Sequence, residues 1–190
     1  MVSLTAQRTF EMLENQSLWQ TAEQVHRALD TEAIPHAVVG GVAVCLHGYR
    51  RNTVDIDFLV RREDQMRIRA TLESAGLRFA EATAEFRTET GITVQFVIAG
   101  DRAGTGQPAI LPDPADANTI AMIEGLPVLN LAELIQSKLA CGLGNLRRTH
   151  KDFADVVELI AIHRLDKSFV KHLHKSVRRE FKVLVDRAQG

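Results

Sequence analysis

His36-Ala37-Val38-Val39-Gly40-Gly41-Val42-Ala43-Val44-Cys45-Leu46-His47-Gly48-Tyr49-Arg50-Arg51-Asn52-Thr53-Val54-Asp55-Ile56-Asp57-Phe58-Leu59-Val60 is the stretch from which the rest of the chain is read. Residues 37–39 form a short apolar run that stops at a pair of glycines, the pattern of a strand entering a tight turn. A helix opening past Gly40 and Gly41 presents free N–H groups and leaves room for close approach, which suits a phosphate. Asp55 and Asp57 stand two apart in a run otherwise made of Val54, Ile56 and Phe58. On a strand that spacing puts both carboxylates on one face and the apolar side chains on the other. Neighbouring carboxylates repel unless a cation lies between them, and hard divalent ions take oxygen ligands. The stretch therefore offers a phosphate cradle and a cation seat joined by one short helix.

Working outward, residues 5–30 predict a helix with a break near 15–17. Phe10, Leu13, Ala22, Val25 and Leu29 lie on its apolar side, and Pro35 ends it. Residues 61–76 predict a helix burying Met66, Ala70 and Leu72 and closed by Gly76. A short strand at 77–80 follows. Residues 86–90 and 92–99 flank Gly91 as a hairpin, with the second arm apolar and β-branched enough for a central strand. Residues 100–118 are dense in Gly, Pro and Asp and predict a loop, and 119–129 a further strand or hairpin around Gly125. From Asn130 the chain is helical. Asn130 with Glu133, and Thr149 with Asp152, have the spacing of helix-opening capping boxes. The second of these helices is expected to bury Phe153, Val157 and Ile160 and to end near His163. Val170, Leu173, Val177, Phe181 and Leu184 make the tail amphipathic.

The expected architecture is α/β (α+β): a mixed sheet flanked by helices over residues 1–130, with a helical region over 131–190 packed upon it. The 190 residues carry a net charge of -1, so no global field draws nucleic acid, and any RNA contact needs a local patch. Residues 164–187 hold eight Lys or Arg against three acids. That reads as an RNA-backbone patch or as the solvated face of an amphipathic helix, the second being preferred. Cys45 and Cys141, the two cysteines, read as buried thiols without a disulfide. No membrane-spanning run and no targeting segment is visible, so a soluble, cytoplasmic protein is expected.

Gly-Gly, a short helix, and Asp-x-Asp on the next strand together resemble the signature of the nucleotidyltransferase superfamily, which has the polymerase-beta-like fold. With Arg51, Thr53, Asp55-Ile56-Asp57 and the segment Lys151-Asp152-Phe153-Ala154-Asp155, the chain is most similar to small prokaryotic nucleotidyltransferases related to the AbiEii and MenT toxins. The resemblance covers about residues 33–163. It implies transfer of a nucleoside monophosphate from a nucleoside triphosphate to a hydroxyl, with Mg2+ (or Mn2+) on Asp55 and Asp57. It places Gly40, Gly41, Arg51, Thr53 and Lys138 at the nucleotide. The acceptor would be RNA (such as tRNA), a protein side chain or a small molecule such as an aminoglycoside, and an antitoxin protein would be a partner.

Arg51 can equally be a surface arginine beside Asp55, with Arg50 next to it. Lys138 falls on an apolar helix face, where it needs an acid or a phosphate unless it snorkels to the core's edge. One position departs from the family pattern. The resemblance puts a third acid in the middle of the strand Val94-Gln95-Phe96, and here it is Gln95. A glutamine amide takes no proton and adds no negative charge. Either Glu89 or Asp101 substitutes, or two carboxylates suffice for slow transfer, or the protein is a catalytically degenerate module that binds nucleotide or a partner.

Overall fold

The computed structural model describes residues 5–12 and 15–189. Two helices open the chain, α1 (Ala6–Met12) and α2 (Gln16–Thr31), with the predicted interruption between them. Phe10, Ala22, Val25 and Leu29 are buried. Leu13, expected on the same face, lies outside the described residues. Then come β1 (His36–Val39), α3 (Gly40–Leu46), β2 (Asp55–Val60), α4 (Gln65–Ser74), β3 (Arg78–Ala80), β4 (Glu85–Arg87) and β5 (Thr93–Ile98). A hairpin of β6 (Ile120–Ile123) and β7 (Leu126–Leu129) precedes α5 (Leu131–Gly144), α6 (Leu146–His163) and α7 (Arg178–Gln189).

The strands form one seven-stranded mixed sheet in the order β3-β4-β5-β2-β1-β7-β6. β2 runs parallel to β5 and β1 parallel to β7, while the other neighbours are antiparallel. The two glycine turns behave as expected. Gly91 has φ +84° between β4 and β5, and Glu124-Gly125 has φ 49° and 84° between β6 and β7, the left-handed pair that a two-residue hairpin needs. In β2, Ile56 and Phe58 are fully buried, as alternation predicts. Val54 is not part of that buried face: it precedes the strand and is 74% exposed. Residues of the sheet, α2, α5, α6 and α7 join one continuous apolar core.

Two helix faces differ from expectation. α4 buries Ile68 and Leu72 while Met66 and Ala70 face outward, because the chain turns through a short 3-10 segment before the helix begins. α6 starts at Leu146, earlier than a Thr149–Asp152 box allows, and Asn145 caps it by accepting from the Arg147 N–H. The Thr149 hydroxyl instead donates to the Gly142 carbonyl at 2.7 Å. The buried face of α6 is correspondingly rotated: it carries Asp152, Asp155, Val156, Leu159 and Ile160, with Phe153 and Val157 only half-buried. By contrast, the Asn130 side chain does accept from the Glu133 N–H at 2.9 Å.

Two buried histidines make stability depend on pH. The His36 Nδ1–H donates to the Ile34 carbonyl at 2.7 Å, so its Nε2 is the acceptor towards His26 Nδ1 at 2.8 Å, and the ring is neutral. His47 Nε2–H donates to the Leu129 carbonyl at 2.8 Å. Burial lowers the pKa of both below the ordinary 6.5. The unfolded chain therefore binds protons there before the folded one does. Stability is lost as pH falls through 6.5 towards the lowered native values. Urea midpoints should drop between about pH 7.5 and about pH 5.5, and the His36→Gln/His47→Gln double variant should show a shallower drop.

Candidate active site

β1, α3 and β2 build the centre of the site. Val39 pairs with Asp57 across the β1–β2 ladder, so the chain leaves β1 beside that carboxylate. It turns at Gly40, whose φ is +63°. A Cβ at Gly40 would overlap the Asp57 carboxylate, and one at Gly41 would lie 2.5 Å from Thr53 Oγ1. Both glycines are thus required by close approach, and the helix α3 begins on them rather than after them. Asp55 and Asp57 share one face of β2. Thr53 is buried, and its hydroxyl lies 3.1 Å from Asp55 Oδ1.

These groups open onto a cleft of about 270 Å³ lined by Gly40, Gly41, Arg51, Asp55, Asp57, Gln95, Lys138, Arg147, Arg148 and Lys151. Five side chains on its walls are cationic and two are carboxylates; Arg51, Lys138 and Arg148 are paired with Asp152 or Asp155 behind the wall, and Arg147 and Lys151 add positive charge suited to a polyanion although the whole chain is close to neutral. Burial raises the pKa of Asp57, the charge of Asp55 raises it further, and Lys138, Arg148 and Lys151 oppose the rise. The carboxylate pair is therefore incompletely compensated, and two hard oxygens on one face could hold a divalent cation. Among the described residues no group of three or more His, Cys, Asp or Glu is placed to hold a metal. A cation here would rest on Asp55 and Asp57, with neutral oxygens completing its shell.

α5 and α6 supply the opposite wall. Lys138 does not snorkel: it is buried, with Nζ 3.0 Å from Asp152 Oδ1 and 2.8 Å from Asp155 Oδ2. Asp152 also accepts from Arg148 Nε at 3.0 Å. Arg51 pairs with Asp155 through Nε at 2.6 Å and Nη2 at 3.0 Å, and its Nη1 donates to the Asn52 carbonyl at 3.0 Å. Its partner is Asp155 and not Asp55. All three of its nitrogens are occupied, so it braces the wall, and it would have to exchange partners to clamp a phosphate. Arg147 and Lys151, one turn apart on α6, are exposed cations at the rim, as is Arg148 between them. Asp152 and Asp155 were legible only as acids at a helix start. Their part in this network follows from the rotated face of α6.

Gln95 is level with Asp57 in the parallel β2–β5 ladder and lines the cleft. Neither acid expected to replace it does so. Glu89 sits in the exposed turn at Gly91, and Asp101 pairs with Arg62 at 2.6 Å beyond the end of β5. The acid beside Gln95 is Glu85, whose Oε1 accepts from Gln95 Nε2 at 2.7 Å. Sequence reasoning missed it, yet counting outward from the Gly91 turn pairs Glu85 with Gln95. A second recess of about 160 Å³, more apolar, adjoins the cleft at Gly40, Asp57, Lys138 and Arg148 and is walled by Val39, Val97, Leu111 and Cys141.

No family model matches the chain, and no curated protein matches it by sequence. Solved structures do share its fold. TM1012 of Thermotoga maritima, assigned as a nucleotidyltransferase, superposes with a TM-score of 0.51 at 21% identity, covering 71% of this chain and 89% of that one. JHP933 from Helicobacter pylori gives 0.54 at 15% identity, covering 94% and 91%. ANT(2")-Ia, solved with adenylyl-2"-tobramycin, gives 0.51 at 17% identity, covering 91% and 97%. The mixed sheet and its flanking helices are a nucleotidyltransferase-type fold. Among the described residues no helix is long and apolar enough to cross a membrane.

Proposed function

We propose that the protein is a nucleotidyltransferase that moves a nucleoside monophosphate from a nucleoside triphosphate to a hydroxyl acceptor. The observation that carries this is the meeting of Gly40, Gly41 and the Asp55–Asp57 pair in one cleft whose other lining side chains are Gln95 and five cations. Structural similarity to nucleotidyltransferases, one of them bound to an adenylylated antibiotic, supports the reading.

In this mechanism the triphosphate lies against the glycine backbone, where no side chain keeps it away. Arg147, Arg148 and Lys151 face the β- and γ-phosphates. Asp55 and Asp57 would hold Mg2+ (or Mn2+), which would supply charge neutralisation to the reacting phosphates. The acceptor oxygen forms a bond to the α-phosphorus. The bond from that phosphorus to the bridging oxygen breaks, and pyrophosphate leaves with the electron pair, held by the cations of α6. Gln95 can hydrogen-bond the acceptor but cannot take its proton, which passes to water, so turnover is slow. The apolar recess beyond Gly40 receives the nucleoside.

The acceptor is an RNA end, a protein side chain or a small-molecule hydroxyl. The resemblance to AbiEii- and MenT-related proteins points towards a toxin–antitoxin setting. A second reading, a degenerate module that binds nucleotide without turnover, is favoured by Gln95 alone. The test is incubation with each labelled nucleoside triphosphate, Mg2+, and total RNA, protein extract or an aminoglycoside. Labelled product that depends on Asp57 supports transfer. Product made only by Gln95→Asp supports decay of an ancestral site. If no variant labels anything and none binds nucleotide, both readings fail.

A further inference from the structure

The replacement of an acid by Gln95 leaves a specific arrangement behind it. Glu85, Gln95 and Asp57 stand in one row across β4, β5 and β2. Asp57 and Gln95 are ladder partners, and Glu85 precedes Phe86 of the antiparallel Phe86–Val94 pair by one step, which sets it opposite Gln95. Strand alternation puts all three side chains on the same face. The Glu85 carboxylate lies 2.7 Å from the Gln95 amide nitrogen. A glutamate side chain is a carboxylate at neutral pH, and a carboxylate only accepts hydrogen bonds.

This settles which way the amide points by chemistry. The NH2 group of Gln95 must face Glu85, and its carbonyl oxygen is then turned to the other side, towards the cleft it shares with Asp57. Amide carbonyls are ordinary ligands of hard divalent cations. We propose that Glu85 is a positioning residue, which fixes the Gln95 amide so that its carbonyl oxygen serves as the third, uncharged ligand of the divalent cation held by Asp55 and Asp57. The inference rests on the nucleotidyltransferase reading. It explains how the acid can be missing while the cation site persists, with one negative charge fewer than three carboxylates would give. Glu85 is the price of that exchange: without a fixed acceptor beside it, the amide is free to turn its NH2 towards the cation.

The experiment is calorimetric titration of the nucleotide-free protein with MnCl2, which needs no activity. Wild type and Glu85→Gln, which keeps an oxygen acceptor beside the Gln95 nitrogen, should bind Mn2+ similarly. Glu85→Lys offers only donors, so the amide reverses, and affinity should fall about 10- to 100-fold, the usual scale for a residue that orients a metal ligand. The added charge of lysine also repels a cation, so Glu85→Lys is repeated in the Gln95→Leu background. With the amide absent, its effect there should largely vanish. Melting curves of each variant confirm that it folds. Equal binding by wild type and Glu85→Lys, or the same loss in both backgrounds, overturns the positioning role and leaves the proposed function standing. Failure of the wild type to bind Mn2+ also overturns the positioning role, while the labelled-nucleotide assay decides the proposed function separately.

Discussion

Asp57→Asn should make the nucleotide-free protein more stable while lowering nucleotidyl transfer about 10²- to 10³-fold, the scale seen when one electrostatic stabiliser is removed at a reacting centre. The two effects have a single origin. The Asp57 carboxylate is half-buried, sits beside Asp55, and has no ion pair among the described residues, so its charged form is disfavoured and its pKa is raised. The sign follows from that rise. Below the unfolded aspartate value both states are protonated and nothing is lost. As pH climbs through the raised native value, the folded chain carries a charge that it accommodates poorly. Asparagine keeps the shape and drops the charge, so it relieves the penalty at neutral pH. It also removes one of the two carboxylates that would hold a cation. Thermal melts without metal, beside the transfer assay, check both halves. An acid that merely helped the fold would show the opposite, with lower stability on substitution.

The second large effect concerns the opposite wall. Lys138→Met should cost about 3–5 kcal/mol of stability, the range for breaking a buried ion pair by removing one partner. Lys138 touches both Asp152 and Asp155, and both acids are fully or almost fully buried. Arg148 and Arg51 each reach one of them, but Arg148 is half exposed and cannot replace a buried charge. Adding Asp152→Asn to Lys138→Met should recover part of the loss, because one stranded charge is then gone. Urea unfolding of the wild type, single and double variants measures this. A loss under about 1 kcal/mol for the single variant would mean that the network is no stronger than a surface pair.

Much of the fold and its centre could be read directly from residue patterns. Period-two placement of Asp55 and Asp57 among apolar neighbours put them on one face, and Gly40, Gly91 and Gly125 marked the turns where positive φ is required. Helix faces were harder to read. α6 buries two aspartates, so a search for apolar periodicity chose Phe153 and Val157 and rotated the helix. In α4 Met66 counted as apolar but is 80% exposed, while Ile68 carries the contact. The supporting layer of the site was least legible because it depends on contacts between distant segments. Arg51 finds Asp155 across 104 residues, and Lys138 finds Asp152 and Asp155 only once α5 and α6 lie side by side. Glu85 was in principle accessible from the hairpin register but carries no signature of its own.

The proposed reaction requires a phosphate chain and its cation to meet between the glycine pair and the aspartate pair. A crystal structure of the protein with a non-hydrolysable nucleoside triphosphate and Mn2+, with anomalous data, tests this directly. The predicted result is an anomalous peak between the Asp55 and Asp57 carboxylates, with phosphate oxygens against the Gly40 and Gly41 backbone and facing Arg148 and Lys151. Nucleotide bound elsewhere on the surface, or seated in the cleft with no metal at the two aspartates, would contradict it.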